Sequence, residues 1–401
     1  MDKKMLGVIY GSRSCEHEVS IVSAVQLMRN VDRNRFDVTP IYISQQGAWF
    51  TGDALLDMNT YTPFDPFKKG LKQVYLDLTA GSGALLHMEQ GKGLLHGLKQ
   101  EVVARIDCFV PVFHGLHGED GSLQGDFELA NIPYTSTGIT GSAVGMDKIT
   151  MKRFFRGMGY PVLPDTSVFR SRWQKEPEQV LQEIERTLDY PVFVKPSCLG
   201  SSIGVSRAND RAQLRDSLEL AFQYDRRVLI EKGLDKPIEI NCSVLGFDGT
   251  TETSALEMPL STGEVLDFYE KYLKGGSSAK GMASMGRVLD PDIGQDTEKQ
   301  IRSLSEDIFT ALDCKGVVRI DYMIDRETGD FYITEINTIP GSLAYYLWNK
   351  KGVSYSQLIT RMVEYAFKAQ QEKDENSFAF QSDILKNVKL GGGSKTKLKV
   401  P

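Results

Sequence analysis

The sequence is poor in cysteine, and none of its cysteines stands in a C-x-x-C pair. Five cysteines are present, an odd number scattered along the chain, so we predict neither a disulfide framework nor a zinc site. We interpret all of them as free thiols: Cys15, Cys108, Cys198, Cys242 and Cys314.

The sequence also lacks a long hydrophobic run and an excess of positive charge. No apolar stretch approaches the length of a membrane span, and residues 1–4 lead into a strand-like segment without the apolar core of a signal peptide. We therefore expect a cytoplasmic protein with no membrane span. The formal net charge of −6 argues against a nucleic acid partner, and no zinc-finger, homeodomain or RNA-recognition pattern occurs.

With 401 residues, 41% of them hydrophobic, the chain can form two or three globular domains. Its beginning reads as a strand at 6–10, a helix at 16–28 and a second strand at 37–43, an α/β pattern that builds a parallel sheet. Gly11 stands alone where a dinucleotide fingerprint needs three glycines. The loop is therefore expected to present Glu16, His17 or Glu18 at the sheet edge, unless these form an ordinary polar first helical turn.

Residues 47–100 give no firm periodicity beyond a hairpin-like start, and we interpret them as an insertion. At the other end of the chain, residues 386–401 carry five lysines, no acidic residue and a glycine-rich stretch. This composition predicts a disordered basic tail over 369–401, to which we assign no partner.

A β-hairpin is predicted over residues 316–341, with Gly329 in its turn. Arg319 and Asp321 are two residues apart on the first strand, and Glu335 and Asn337 are two apart on the second, so each pair lies on one face of its strand. If the two faces coincide, one cation and three oxygen-bearing side chains converge. Such hard oxygen ligands suit a Mg²⁺-nucleotide site, although a half-buried hairpin with a solvated acidic edge is the alternative.

A second candidate is the loop that follows Lys195, in which Gly200 precedes Ser201 and Ser202. Backbone N–H groups, two hydroxyls and one ammonium are suited to phosphate oxygens. The loop is not a Walker A motif, and an ordinary Gly-Ser hairpin loop is the alternative. Residues 267–278 form a further glycine- and serine-rich segment, either a mobile lid or a surface loop.

The order and spacing of these motifs over residues 4–368 resemble those of ATP-grasp enzymes, and within them the D-alanine–D-alanine ligases. The motifs are Glu16-His-Glu-Val-Ser20, His114-Gly-x-x-Gly-Glu-Asp-Gly-x-Leu-Gln-Gly125, Met146-Asp-Lys148, Val194-Lys-Pro-Ser197, Gly200-Ser-Ser202, Leu229-Ile-Glu-Lys232, Arg319-Ile-Asp321 and Glu335-Ile-Asn-Thr-x-Pro-Gly341. The resemblance implies a three-domain ATP-grasp fold with a Rossmann-like parallel-sheet N-terminal domain at 1–137, a central domain at 138–232 and a C-terminal domain at 233–368.

The resemblance also implies roles for individual residues. Lys148 and Lys195 would contact the α and β phosphates of ATP, and Ser201 and Ser202 would cover them. Glu231, Lys232 and Leu234 would hold the adenine and Glu239 the ribose. Asp321, Glu335 and Asn337 would bind two Mg²⁺, for which Mn²⁺ can substitute. For the substrates, the implied set is Glu16 at the first ammonium, Arg319 and Gly341 at the oxyanion, Lys271 at the γ-phosphate or second carboxylate, and His114, Tyr272, Tyr346 and Leu347.

The implied reaction joins two D-alanines through an acylphosphate and releases ADP and phosphate, for peptidoglycan synthesis, cell-wall biogenesis and cell shape. A homodimer is implied as well. The sequence departs from the family after Gly341, where Tyr346 stands at the position of a serine thought to bind the second carboxylate. This leaves open a second substrate such as D-serine or another amino acid. A non-catalytic nucleotide-binding scaffold is the remaining alternative.

Overall fold

The computed structural model describes residues 3–90, 98–260, 286–378 and 380. In this part of the chain the strands form three sheets, and one sheet lies within each of the three predicted domain ranges. The exact limits of the domains stay a prediction. Within the same residues, no helix combines the length and the apolar character that a membrane crossing requires.

The first sheet has seven strands in the order β6-β5-β4-β3-β2-β1-β7. Its strands β2, β1 and β7 run parallel, as the βαβ pattern predicted. Helix α1 (His17–Asn30) connects β1 to β2, and α2 (Ser122–Leu129) follows β7. The strands are β1 (Lys4–Gly11), β2 (Phe36–Ile43), β3 (Trp49–Thr51), β4 (Lys72–Leu76), β5 (Ala84–Gln90), β6 (Leu98–Arg105) and β7 (Cys108–Val112).

The segment interpreted as an insertion is an integral part of this sheet. Strands β3 to β6 continue it antiparallel from β2, so the region interpreted as an insertion without firm periodicity contains regular strands, and its hairpin-like start corresponds to the pairing of β2 with β3. The sequence pattern did not indicate β4 and β6 because these two strands bury few side chains. Only Val74 is buried in β4, and β6 has no buried residue, so neither gives the clear alternation of a half-buried strand.

The second sheet is antiparallel, in the order β10-β9-β11-β8, and is covered by amphipathic helices. Its core packs Leu181, Val192 and Leu218 from a helix, a strand and a second helix. The elements are α3 (Ile139–Met146), α4 (Lys148–Gly157), β8 (Asp165–Phe169), α5 (Arg170–Trp173), α6 (Pro177–Thr187), β9 (Val192–Pro196), β10 (Ser206–Ala208), α7 (Arg211–Tyr224) and β11 (Arg227–Lys232).

The third sheet, in the order β14-β13-β12-β15-β16, contains the predicted hairpin as β15 and β16. Gly329 has a φ of 78° in its turn, as predicted. The elements are β12 (Ile238–Phe247), β13 (Thr250–Pro259), β14 (Arg287–Leu289), α8 (Gln295–Ala311), β15 (Gly316–Ile324), β16 (Phe331–Asn337), α9 (Tyr345–Lys350) and α10 (Tyr355–Asp374).

The last helix joins this sheet to the first one. A capping box starts it, because Ser354 accepts the N–H of Gln357 while the Gln357 side chain accepts the N–H of Ser354. Leu358 and Val363 of α10 then pack into the core of the first sheet. The helix continues to Asp374, so residues 369–374 of the predicted tail are helical, whereas 381–401 lie outside the described residues.

Candidate active site

A cleft of about 640 Å³ lies where the three predicted domains meet. Most of the residues predicted from the sequence line it, although they come from distant parts of the chain. They are Glu16, His114, Lys148, Lys195, Ser201, Ser202, Glu231, Lys232, Leu234, Glu239, Arg319, Asp321, Glu335, Asn337 and Gly341.

The hairpin brings its polar residues together as predicted. Arg319 lies opposite Asn337, and Asp321 lies opposite Glu335, so the two faces coincide. The Arg319 guanidinium donates to both Asp321 oxygens, with Nε 2.6 Å from Oδ1 and Nη2 2.7 Å from Oδ2. The Asn337 amide donates to Asp321 Oδ2 at 3.0 Å. The result is a preorganised group of two carboxylates, one amide and one guanidinium.

The electrostatics of this group favour a bound cation. Burial raises the pKa of Asp321, Arg319 counteracts that rise, and the facing carboxylates of Glu335 and Glu257 add to it. A cation beside Asp321 and Glu335 would relieve this repulsion between carboxylates, and their oxygens with that of Asn337 are the hard donors Mg²⁺ prefers. Across the described ranges, no three His, Cys, Asp or Glu side chains gather as a metal cluster, so the donor set here is two carboxylates and an amide.

A second charged group in the cleft is centred on Glu231 of β11, which pairs with two lysines. Its side chain is 2% exposed and contacts the ammonium groups of both Lys195 and Lys152, the latter at 2.5 Å. Burial alone would raise the pKa of Glu231, but the two lysines lower it to about 2. Lys152 was not predicted as a site residue. Its spacing of four residues from Lys148 on α4 places both lysines on one helix face, which is the signal that could have indicated it.

Lys148 lies at the first position of α4 and points toward the hairpin. Asp147 caps the helix by accepting the N–H of Thr150 at 2.9 Å. The Lys148 ammonium donates to the carbonyl oxygen of Leu199 at 2.8 Å and lies 3.4 Å from Glu335 Oε2. It therefore stands between the Ser201 loop and the carboxylates of the hairpin.

The predicted phosphate loop contacts the N-terminal part of the chain. Ser201 and Ser202 have φ values of 52° and 59°, a left-handed conformation that is uncommon for residues other than glycine. The Ser201 hydroxyl donates to the Glu16 carboxylate. Asp147 holds the base of the loop by accepting the Ser197 hydroxyl at 2.8 Å. The loop is thus closed over the start of α1 in this structure.

A buried glutamate, Glu119, ties the loop after β7 to the turn after β16. Its Oε2 accepts the N–H of Gly115 at 2.8 Å, and its Oε1 accepts the N–H of Ile339 at 2.9 Å. Burial raises the pKa of Glu119 to about 8, against the effect of these two N–H groups. Glu119 belongs to the motif from His114 to Gly125. Its role in joining two segments is indicated only by its hydrogen bond from Ile339, which is far away in sequence.

The segment after Gly341 makes a strained turn. Ser342, Leu343 and Ala344 have φ values of 50°, 54° and 50°, three consecutive left-handed residues without a glycine. Helix α1 contacts this turn, because Gln26 accepts the Ser342 hydroxyl at 3.0 Å and donates to the Tyr345 hydroxyl at 3.1 Å. These contacts offset part of the strain.

Comparison with known proteins identifies the family. The family model described as "D-ala D-ala ligase N-terminus" matches residues 5–137, and "D-ala D-ala ligase C-terminus" matches residues 154–364. The chain belongs to the D-alanine–D-alanine ligase family. Among the members of this family, "D-alanine--D-alanine ligase" of Acetivibrio thermocellus is 38% identical over 371 residues, which are 91% of this chain and 96% of that protein.

Solved structures of a D-alanine–D-alanine ligase and of a D-Ala:D-Ser ligase share its ATP-grasp fold. The D-alanine-D-alanine ligase from Coxiella burnetii has a TM-score of 0.76 and 25% identity, covering 94% of this chain and 97% of that one. The VanG D-Ala:D-Ser ligase from Enterococcus faecalis has a TM-score of 0.74 and 28% identity, covering 91% and 100%. The predicted three-domain ATP-grasp architecture is therefore confirmed at the level of the fold.

In this member of the D-alanine–D-alanine ligase family, two residues predicted to contact the second amino acid, Tyr346 and Leu347, are not among those that line the cleft. Tyr346 is buried, donates its hydroxyl to Glu257 Oε2 at 3.3 Å, and is not among the residues that line the cleft. Leu347 is fully buried in a cluster with Ala344 and Tyr346. Their predicted contact with substrate stays a prediction. Lys271 and Tyr272 lie outside the described residues.

Proposed function

We propose that the protein joins two D-alanine molecules into D-alanyl-D-alanine while ATP is converted to ADP and phosphate. The observation that carries this proposal is the convergence of Arg319, Asp321, Glu335 and Asn337 in one cleft with Lys148 and the Ser201 loop. This combination supplies oxygen ligands for a cation, a guanidinium for a developing oxyanion and positive charge for phosphate. Membership of the ligase family supports the choice of substrates.

ATP is proposed to lie between the second and third sheets. Lys148 and Lys195 would neutralise the α and β phosphates, with the Ser201 and Ser202 loop over them. Glu239 would hold the ribose. Glu231, with Lys232 and Leu234, is assigned to the adenine. Glu231 also contacts Lys152 and Lys195, and it would thereby hold Lys195 in position for the phosphates.

Asp321, Glu335 and Asn337 are proposed to hold two Mg²⁺, with Mn²⁺ as a substitute. When bound, these ions would neutralise charge on the phosphoryl group that is transferred. The donor set fits them, because its carboxylates lie opposite each other in a half-buried position and supply hard oxygen ligands.

The remaining residues would position the amino acids. Glu16 would bind the ammonium of the first D-alanine. The Ser201 hydroxyl donates to the Glu16 carboxylate and holds it in place. The first D-alanine carboxylate would take the γ-phosphoryl group and become an acylphosphate. Arg319 and the N–H of Gly341 would stabilise the oxyanion that forms when the second amine, after losing a proton, attacks the acylphosphate. Collapse of this oxyanion would expel phosphate and leave the amide bond.

The product would serve as a peptidoglycan precursor for cell-wall biogenesis and cell shape. We place the reaction in the cytoplasm because it consumes ATP, and we propose a homodimer by analogy with the family. A second candidate differs only in the acceptor, which would be D-serine or another amino acid. Tyr346 favours keeping this candidate, because it stands where a serine was expected and is engaged by Glu257.

The test is phosphate release from MgATP with D- and L-amino acids, singly and in pairs, with products identified by mass spectrometry. We expect D-alanine alone to give D-alanyl-D-alanine. A mixed dipeptide formed in preference would support the second candidate. If none of the amino acids caused phosphate release, both candidates would be contradicted. The Glu335→Gln variant, which retains the shape of the side chain, serves as the control for turnover at this site.

A further inference from the structure

Lys152 of α4 lies behind the wall of the cleft and is not among the residues that line it. Its side chain has no exposed surface, and its ammonium contacts Glu231 Oε2 at 2.5 Å and the carbonyl oxygen of Leu163 at 3.4 Å. Glu231 and Leu163 both line the cleft. Lys152 therefore stands directly behind the surface on which ATP is proposed to lie.

A fully buried lysine at this position requires an explanation. Lysine is almost never fully buried unless it is paired, because its ammonium loses the water that solvates it. Glu231 already has a counter-ion in Lys195, and an apolar side chain at position 152 would avoid the cost of desolvation. The second lysine is therefore not needed to neutralise Glu231.

The two lysines assigned to the phosphates are each matched by a glutamate. Lys195 contacts Glu231, and Lys148 lies 3.4 Å from Glu335 Oε2. In their ordinary charged forms these four side chains together carry no net charge. Lys152 leaves the group with one positive charge in excess. Because the site is largely buried, water and salt screen that charge less than they would at the surface.

We propose that Lys152 supplies the positive charge through which this wall of the cleft attracts the phosphates of the nucleotide. This inference rests on the proposed function, since it concerns the ATP site of that reaction. Lys152 neutralises Glu231 from behind and so leaves the charge of Lys195 available to the α and β phosphates. It is a positioning residue, because it acts through Glu231 and Lys195.

The test separates the phosphates from the rest of the nucleotide. Adenosine has the base and ribose of ADP but no phosphate, so the ratio of the adenosine to the ADP dissociation constant measures what the phosphates contribute. Both constants are obtained by calorimetry at one fixed concentration of MgCl2. For Lys152→Met we expect ADP affinity to fall roughly 10- to 100-fold, the effect of one charge several ångströms away at an effective dielectric constant of about 20. Adenosine affinity should stay within about 3-fold of the wild type, since adenosine is uncharged.

A double variant distinguishes lost charge from lost packing. In Lys152→Met/Glu231→Gln the glutamate charge is removed as well, so Lys195 again has a charge without a counter-ion behind it. We expect the ratio of the two dissociation constants to return to within about 3-fold of the wild type. A purely structural role of Lys152 predicts the opposite, because the second substitution disturbs the same buried contacts further.

The matched control is Arg156→Met. Arg156 lies one turn further along α4, and its half-exposed guanidinium pairs with Asp165. This variant also loses one positive charge from the helix, but at a position where solvent screens it, so the ratio should not change. A wild-type ratio in Lys152→Met, or a further fall in the double variant, would overturn the inference. If the wild type bound ADP no more tightly than adenosine, the proposed ATP site itself would be contradicted.

Discussion

The Glu119 carboxylate accepts the N–H of Ile339 and so joins the loop after β7 to the turn that leads to Gly341. The same carboxylate accepts the N–H of Gly115, so a single side chain satisfies two buried donors from distant parts of the chain. Ile339 precedes Gly341 by two residues, so its hydrogen bond to Glu119 helps to fix the position of the Gly341 N–H in the cleft.

We therefore expect Glu119→Ala to impair both stability and catalysis. Two buried N–H groups would lose their acceptor, at a cost of about 1–3 kcal/mol each. The Gly341 N–H would also lose its fixed position, and dipeptide formation should fall by at least about 10-fold. Urea unfolding and phosphate release measure the two effects.

Glu327→Ala is the control, because Glu327 is exposed at the tip of the β15–β16 hairpin. We expect it to change neither quantity. If Glu119→Ala unfolded at the same urea concentration as the wild type, the proposed link between the two segments would be refuted.

The Glu231 ion pairs predict a strong asymmetry between two substitutions. Glu231→Gln would leave Lys152, which is fully buried, and Lys195 without their counter-ion, which costs about 3–5 kcal/mol for a buried pair. Lys152→Met keeps the Lys195–Glu231 contact and replaces the ammonium by an apolar side chain, so its cost should be clearly smaller. Unfolding free energies from urea titration compare the two. A larger loss in Lys152→Met would contradict this account.

The parts of the site that the sequence predicted are those with a local pattern. The spacing of two residues placed Arg319 with Asp321 and Glu335 with Asn337, and the strands kept that spacing. Only the way the two strands pair had to be assumed. The Gly-Ser loop and the lysine before it were likewise visible because glycine and hydroxyl residues stand together.

The residues that escaped prediction depend on contacts between distant segments. Glu119 needs Ile339, so no spacing within one element could indicate its role. Lys152 was hidden because a lysine on a helix is ordinarily solvated, and only burial against Glu231 gives it a role. Strands β4 and β6 were missed because only one residue of β4 and none of β6 is buried, so neither shows a clear alternation of apolar and polar residues.

The paired carboxylates of the hairpin predict stabilisation by Mg²⁺. An ion that binds the folded state alone raises the free energy of unfolding by about 2.7 kcal/mol at a concentration of 100 Kd. We expect MgCl2 to raise the Tm of the wild type and to raise that of Glu335→Gln much less, and phosphate release by the variant should fall by about 100-fold or more.

Glu327→Gln provides the matched control, since it makes the same chemical change at the exposed end of the hairpin. Its Tm should respond to MgCl2 as the wild type does. An equal response in Glu335→Gln would place the cation elsewhere. Chelation with EDTA should reverse the rise in Tm.

His114 predicts how stability depends on pH. Burial first, and then the Arg319 charge, lower the pKa of His114 to about 4, while its Nε2 lies 3.0 Å from the Ser23 hydroxyl. The unfolded chain, with an ordinary histidine pKa of about 6.5, therefore binds more protons than the folded one between pH 6.5 and 4. The folded state loses stability as the pH falls through this range, by at most about 1.4 kcal/mol per pH unit.

The His114→Gln variant removes this group, so the difference in unfolding free energy between wild type and variant should shift in favour of the variant as the pH is lowered from 7 to 4.5. Titrating groups that do not interact with His114 cancel in that difference. Ser23→Ala is the control, because it removes the hydrogen-bond partner of His114 and keeps the buried imidazole. It should retain the wild-type slope with pH, and a wild-type slope in His114→Gln would show that another group is responsible.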